Sequence, residues 1–244
     1  MLVPIPMCIW VAQHNQEQVF QFFLFLKWLY KSGKLKFSTL ELQAIASMMN
    51  YSDVRPIQKH IDTLLEWGWL RLNEKTEFYL IASFDRLRIK YDWESRASIE
   101  CTLKEINNIR AHVGASIFAY QHKDFWRKVK REKSVRIKGR AYHFLSPSFN
   151  YSKQFAPIAT TGIEALHNIS KSKASTLKIA AAKAGYILVK KDFDTTYSDA
   201  DINLLIKYCD APQNLRKLNG KVVLQLIDLV LPKISIRKRH KLGT

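Results

Sequence analysis

Apolar residues crowd one segment near the start of the chain and recur at helical spacing along much of the rest. The densest segment lies within a helix predicted over Asn15–Lys31, ending before Gly33. Val19, Phe20, Phe22, Phe23, Leu24, Phe25, Leu26, Trp28 and Leu29 cover nearly every face of it. A helix that is apolar all round must be buried all round. Either a homodimer partner or a later segment of the chain is therefore expected to cover Val19–Tyr30. This run is about 12 residues long and is interrupted by Gln21 and Lys27, too short and too polar for the roughly 20 apolar residues of a membrane span.

A short strand is expected at Lys34–Phe37. Ser38-Thr39-Leu40-Glu41 then has capping-box spacing, with a hydroxyl and a carboxylate placed to satisfy orphan amides. The helix it opens, Thr39–Met49, puts Leu42, Ile45, Ala46 and Met49 on one stripe. After the turn Asn50-Tyr51-Ser52 a second helix carries Pro56 in its first turn, where a missing N–H does no harm. It turns Ile57, Ile61, Leu64 and Leu65 inward and stops at Gly68. Two short strands, Trp69–Leu72 and Glu77–Ile81, flank a polar turn. Residues 84–93 show no clear period. Thr102-x-x-Glu105 caps a long helix running to about Lys130, and a hairpin over Ser134–Leu145 is expected to turn near Lys138-Gly139. Further helices are predicted at Thr161–Ile169, Ser172–Ala184, Ile202–Cys209 and Lys221–Leu231, the last stopped by Pro232.

Helix, strand, helix, tight turn, helix and β-hairpin follow one another over residues 15–82. The segment carries Ile45-Ala46, then Ile57-x-Lys59-x-Ile61-x-x-Leu64-x-x-x-Gly68-Trp69-Leu70, and it resembles the winged helix-turn-helix family. The interval from Ser172 to Gly185 repeats the pattern more weakly. Ala181 stands where Leu is common, and no wing is obvious after Leu188-Val189-Lys190-Lys191. The resemblance implies a mostly α fold with small β-wings: two winged helix-turn-helix-like domains, 1–97 and 158–244, joined by a long helix and basic hairpin at 98–157. In this family the second helix of the motif commonly enters the major groove of double-stranded DNA. The outward residues there would be Asp53, Arg55, Gln58, Lys59, Asp62 and Thr63 in the first module. The overall arrangement resembles tandem winged-helix replication initiators of plasmids and phages, in which one module often dimerises and the other reads origin repeats. A transcriptional regulator fits equally, and the alternative is a non-specific architectural or packaging protein that coats DNA.

Charge separates the two modules. The chain has 39 Lys and Arg against 21 Asp and Glu, net +18. Residues 1–122 hold 14 basic and 12 acidic residues, whereas residues 123–244 hold 25 and 9. A cationic field so localised attracts a polyanion and gains from counterion release. Lys171, Ser172, Lys173, Ser175, Thr176 and Lys178 cluster at the start of the second module's candidate reading helix. Lys128, Lys130, Arg131, Arg136, Lys138 and Arg140 suit phosphate contacts that fix register. Arg237, Lys238 and Arg239 form a basic tail. The first module is nearly neutral, so charge reversal at Lys173 and Lys178 is expected to weaken binding more than reversal at Arg55 and Lys59.

No GxxxxGK[ST], GxGxxG, HExxH or GxSxG motif occurs. Cys8, Cys101 and Cys209 are far apart, and the seven histidines are scattered. No catalytic residue, metal or cofactor is expected. The expected partners are double-stranded DNA and, as one of the two ways of covering the Val19–Tyr30 helix, a second copy of the chain, with no membrane. The expected setting is cytoplasmic, at the nucleoid.

Overall fold

The computed structural model describes residues 1–137, 140–143, 150–193, 215–218 and 221–238. Strand β1 (Leu2–Pro4) runs directly into helix α1 (Ile5–Gln13), whose first turn holds Pro6. Helix α2 (Glu17–Leu29) follows. Val19, Phe20 and the run from Phe22 to Leu26 are buried within the single chain, and Trp28 is 40% exposed. The cover comes from helices later in the chain, at Arg55–Glu66, Leu103–Asn107 and Ile109–Glu132, and in smaller part from α1. No second copy is needed to bury this helix.

The first module continues with β2 (Lys34–Leu35), α3 (Thr39–Met48), α4 (Arg55–Glu66), β3 (Leu70–Asn73) and β4 (Phe78–Ile81). Its strands pair antiparallel in the order β2-β4-β3. The expected capping box forms: the Glu41 amide donates to Ser38 Oγ at 3.2 Å, and the Ser38 amide donates to Glu41 Oε2 at 2.9 Å. Helix α4 ends on Gly68 at φ 65°. The Gly68 and Trp69 amides bond back to the Leu65 and Leu64 carbonyls, a helix stop that needs the left-handed conformation.

Helix α5 (Phe84–Lys90), capped by Ser83, lies in the segment that had no clear period. Strand β5 (Ala97–Glu100) precedes α6 (Leu103–Asn107) and α7 (Ile109–Glu132). The Thr102–Glu105 capping box is present, but the predicted single helix breaks at Asn108 (φ −110°, ψ 42°). The hairpin follows as β6 (Ser134–Ile137) paired with β7 (Arg140–His143). A 3-10 turn at Tyr151–Lys153 leads to β8 (Ala156–Pro157), α8 (Thr160–His167), α9 (Lys171–Lys183) and β9 (Ile187–Lys190). The last strands are β10 (Leu215–Leu218), β11 (Lys221–Leu224), β12 (Leu229–Pro232) and β13 (Ile236–Lys238).

The helix expected over Lys221–Leu231 does not form. β11 pairs with β10, and β12 lies between β8 and β9. A short apolar run such as Leu229-Val230-Leu231 fits a buried strand as well as a helix, and sequence neighbours alone do not decide between them. Here two distant strands supply the hydrogen bonds. The predicted helix at Ile202–Cys209 lies outside the described residues.

These strands complete a second module with the plan of the first. Its parts are α7, β8, α8, α9, β9 and β12, and its sheet order is again first, third, second (β8-β12-β9). Helix α7 is thus the module's own first helix as well as the connection from the first module. Gly185, at φ 76°, ends α9 as Gly68 ends α4. Its amide bonds to Ala182 and the Tyr186 amide to Ala181, the same spacings as at Gly68 and Trp69. A third sheet, β1-β5-β13, ties the start of the chain, its middle and its basic end together. No helix among the described residues is long and apolar enough to cross a membrane.

Candidate nucleic-acid interface

Helix α9 is built by local signals at its start and by close packing along its length. Ser170 caps it, accepting from the Lys173 amide at 3.3 Å, and the Glu164 carboxylate accepts from the Lys171 amide. Asn168 takes the left-handed conformation (φ 49°) that turns the chain from α8 into α9. Ala174, Leu177 and Ala181 are buried against α7. A methyl group on Gly114 of α7 would sit 2.3 Å from the Leu177 carbonyl oxygen, so the two helices approach as closely as backbone permits.

This packing leaves one side of α9 in solvent. Ser172, Thr176, Ile179 and Lys183 share it at steps of four, three and four residues, with Lys171 exposed at the helix start. Ile179 is 63% exposed. Ser175 is half-buried. With Lys171 it lines a cleft of about 950 Å³ between the start of α8 and the 224–229 loop.

Two of the residues expected to read DNA face the protein instead. Lys173 Nζ lies 2.5 Å from Glu17 Oε1 at the start of α2, with side chains 18% and 7% exposed. Lys178 pairs with Asp228, just before β12. Both lysines flank the buried stripe of α9 and reach carboxylates supplied by distant parts of the chain. A buried ion pair that loses one partner leaves an uncompensated charge. Charge reversal at Lys173 or Lys178 therefore reports on folding, not on DNA contact. Ile179 and Lys183 take their places on the outer face. Helical periodicity registered on Leu177 and Ala181 would have selected both.

The other expected residues divide by surroundings. In the first module Arg55, Gln58 and Lys59 are exposed on α4 beside exposed Asp62 and Glu66. Arg55 is held by Asp53 at 2.5 Å. This face is close to neutral. At the end of α7, Asp124 pairs with both Arg127 and Lys128. Lys130 and Arg131 are exposed and carry no acidic partner among the described residues. Arg136 and Arg140 sit in the β6–β7 register, where Arg136 opposes Ala141 and Ile137 opposes Arg140. Arg237 is in β13 and pairs with Glu100 at 2.9 Å, and the Lys238 backbone pairs with Ala97. The stretch is thus sheet up to Lys238, not a loose arm. Lys138 and Arg239 lie outside the described residues. Lys190, Lys191 and Lys221 are additional exposed cations on and after β9 and on β11.

Among the described residues no group of three or more His, Cys, Asp or Glu is placed to hold a metal ion. Cys8 is fully buried, and burial pushes its thiol up to about 12, which keeps it protonated and unreactive. No family model, curated protein or solved structure matches this chain.

Proposed function

We propose that this chain binds double-stranded DNA through its second winged module, as a sequence-specific reader of the replication-initiator or transcription-regulator kind. One observation carries the reading. The module with the charge surplus leaves one face of α9 open (Ser172, Thr176, Ile179 and Lys183) on a helix stacked tightly against its neighbour. A helix offered this way suits a major groove. Hydroxyls and a lysine have partners on base edges and phosphates, and an exposed aliphatic side chain suits a thymine methyl. Lys130, Arg131 and the wing lysines Lys190, Lys191 and Lys221 suit flanking phosphates, which set register without reading sequence. The first module, with a near-neutral α4 face, serves as support or as a docking unit.

The test is selection of bound fragments from a random duplex library at physiological salt. A specific reader holds its site about 10³-fold or more above random duplex. Thr176→Ala with Lys183→Glu is expected to lower affinity for that site at least about tenfold, at roughly one bidentate contact per tenfold. Lys59→Glu in the first module changes it by less than about twofold. A steep salt dependence with no sequence preference would favour the coating alternative. Origin repeats or a promoter among the selected fragments would separate initiator from regulator.

A further inference from the structure

A second cationic surface lies away from the outer face of α9. It is a groove of about 640 Å³ between the middle of α7, the 3-10 turn at Tyr151–Lys153 and the segment that leaves β12. Lys123, Lys153 and Lys233 line it, and no Asp or Glu does among the described residues. Tyr151 stands at its edge, 45% exposed. β12 separates this groove from the cleft beside α9. Leu229, at the start of β12, lines that cleft, and Leu231 and Pro232, at its end, line this groove.

Both walls are held in place. The buried His122 ring on α7 bonds to the Gln154 carbonyl at 2.7 Å, and the Asn150 side chain accepts from the Ser152 amide at 3.0 Å. These bonds pin the turn that carries Tyr151 and Lys153. On the opposite wall the Lys233 amide donates to the Tyr186 carbonyl at 2.9 Å. The volume falls within the roughly 300–1,000 Å³ of small-ligand clefts, far too small to admit a duplex.

The geometry points to a binding site for single-stranded nucleic acid in this groove, with Tyr151 stacking a base and Lys153 and Lys233 contacting the flanking phosphates. Lysines that track a backbone beside an accessible aromatic ring are what sequence-tolerant single-strand binding requires. An acidic peptide such as polyglutamate would find the same charge but brings no flat base to stack on the ring. The site goes beyond duplex reading and stands or falls independently of it.

Fluorescence anisotropy of the full chain with labelled oligothymidylate of about twelve nucleotides, within the usual range of site sizes, tests the proposal. Tyr151→Ala is expected to weaken binding about tenfold, the loss of one stacked base. Lys153→Ala with Lys233→Ala is expected to weaken it further and to reduce the salt slope by about 1.4, at roughly 0.7 per phosphate on a single strand. Circular dichroism and the urea midpoint show that these variants fold, and binding of a duplex, measured separately, stays within twofold of the parent. A matching oligouridylate distinguishes RNA from DNA as the natural strand, and either supports the site. Three results would overturn it: no binding of the oligonucleotide by the parent chain, equal losses on single strand and duplex, or displacement by polyglutamate as effective as by unlabelled oligonucleotide. Loss of duplex binding alone, with oligothymidylate binding still sensitive to Tyr151, would sink the proposed function and leave this site intact.

Discussion

Glu17 and Lys173 join the two modules through one buried ion pair, and the cost of desolvating both charges makes each depend on the other. Lys173→Met is expected to destabilise the chain by about 3 kcal/mol, because Glu17 is left buried and unpaired. Adding Glu17→Leu is expected to restore most of that loss, since a well-packed apolar pair often equals a buried ionic one. Urea unfolding of the two variants checks this, and a neutral single variant would mean that the pair is solvated. His112 is a second residue whose burial has a measurable cost. Its ring is 1% exposed, and its Nε2 has no hydrogen-bond partner among the described residues. Burial, partly opposed by Glu105, pushes it down to about 4. The folded state therefore favours the neutral ring. The associated stability is fully present above the unfolded value of about 6.5 and is lost as pH falls through 4. A shift of this size corresponds to about 3 kcal/mol. His60, His122 and His167 are also lowered by burial and act in the same direction. The urea midpoint is expected to drop between pH 7 and 4.5, and by less in His112→Leu.

Among elements, the contact of α7 with α9 decides whether the second module holds its shape. The glycine at 114 exists there for proximity and not for conformational freedom: a methyl would meet the Leu177 carbonyl, and a backbone atom cannot swing aside. Gly114→Ala is expected to cost about 2 kcal/mol, overpacking of up to roughly 3 offset by about 1 of helix propensity. Gly162 on α8 is the control, because nothing lies within 4 Å of a methyl there. Gly162→Ala is expected to be neutral or to stabilise by up to about 1 kcal/mol. Thermal unfolding of both variants tests the pair, and equal effects would place the two helices farther apart than described.

Across the whole molecule, two modules of the same plan differ in what their outer helices present. The face of α4 alternates sign, with Arg55 tied to Asp53 and Asp62 and Glu66 exposed nearby. The face of α9 carries hydroxyls, one aliphatic side chain and lysines, with Glu17 and Asp228 engaged by Lys173 and Lys178 and Glu164 accepting from the Lys171 amide. Those two ion pairs neutralise Glu17 and Asp228 within the fold. Lys130→Ala with Arg131→Ala is expected to weaken duplex binding uniformly across sequences. It should lower the salt slope by about 1.8, at roughly 0.9 per phosphate contact. A loss confined to one sequence would instead mark these residues as base readers. Titrations at several salt concentrations, with specific and random duplexes, make the distinction.

Some of this architecture was legible along the chain, because its causes act within a few residues. The capping boxes at Ser38 and Thr102, the stops at Gly68 and Gly185 and the hairpin after α7 each rest on hydrogen bonds or backbone angles set by near neighbours. The charge imbalance needed only counting. Other features exist only because distant segments meet in space. Leu229–Pro232 is a strand, not a helix, because β8 and β9 hold the matching amides and carbonyls. The aromatic helix α2 finds its cover within its own chain. Lys173 and Lys178 turn inward because Glu17 and Asp228 are brought within ion-pair distance. Local chemistry determines where an element starts and stops, whereas burial, sheet pairing and ion pairing depend on separation in space, which only the tertiary structure sets.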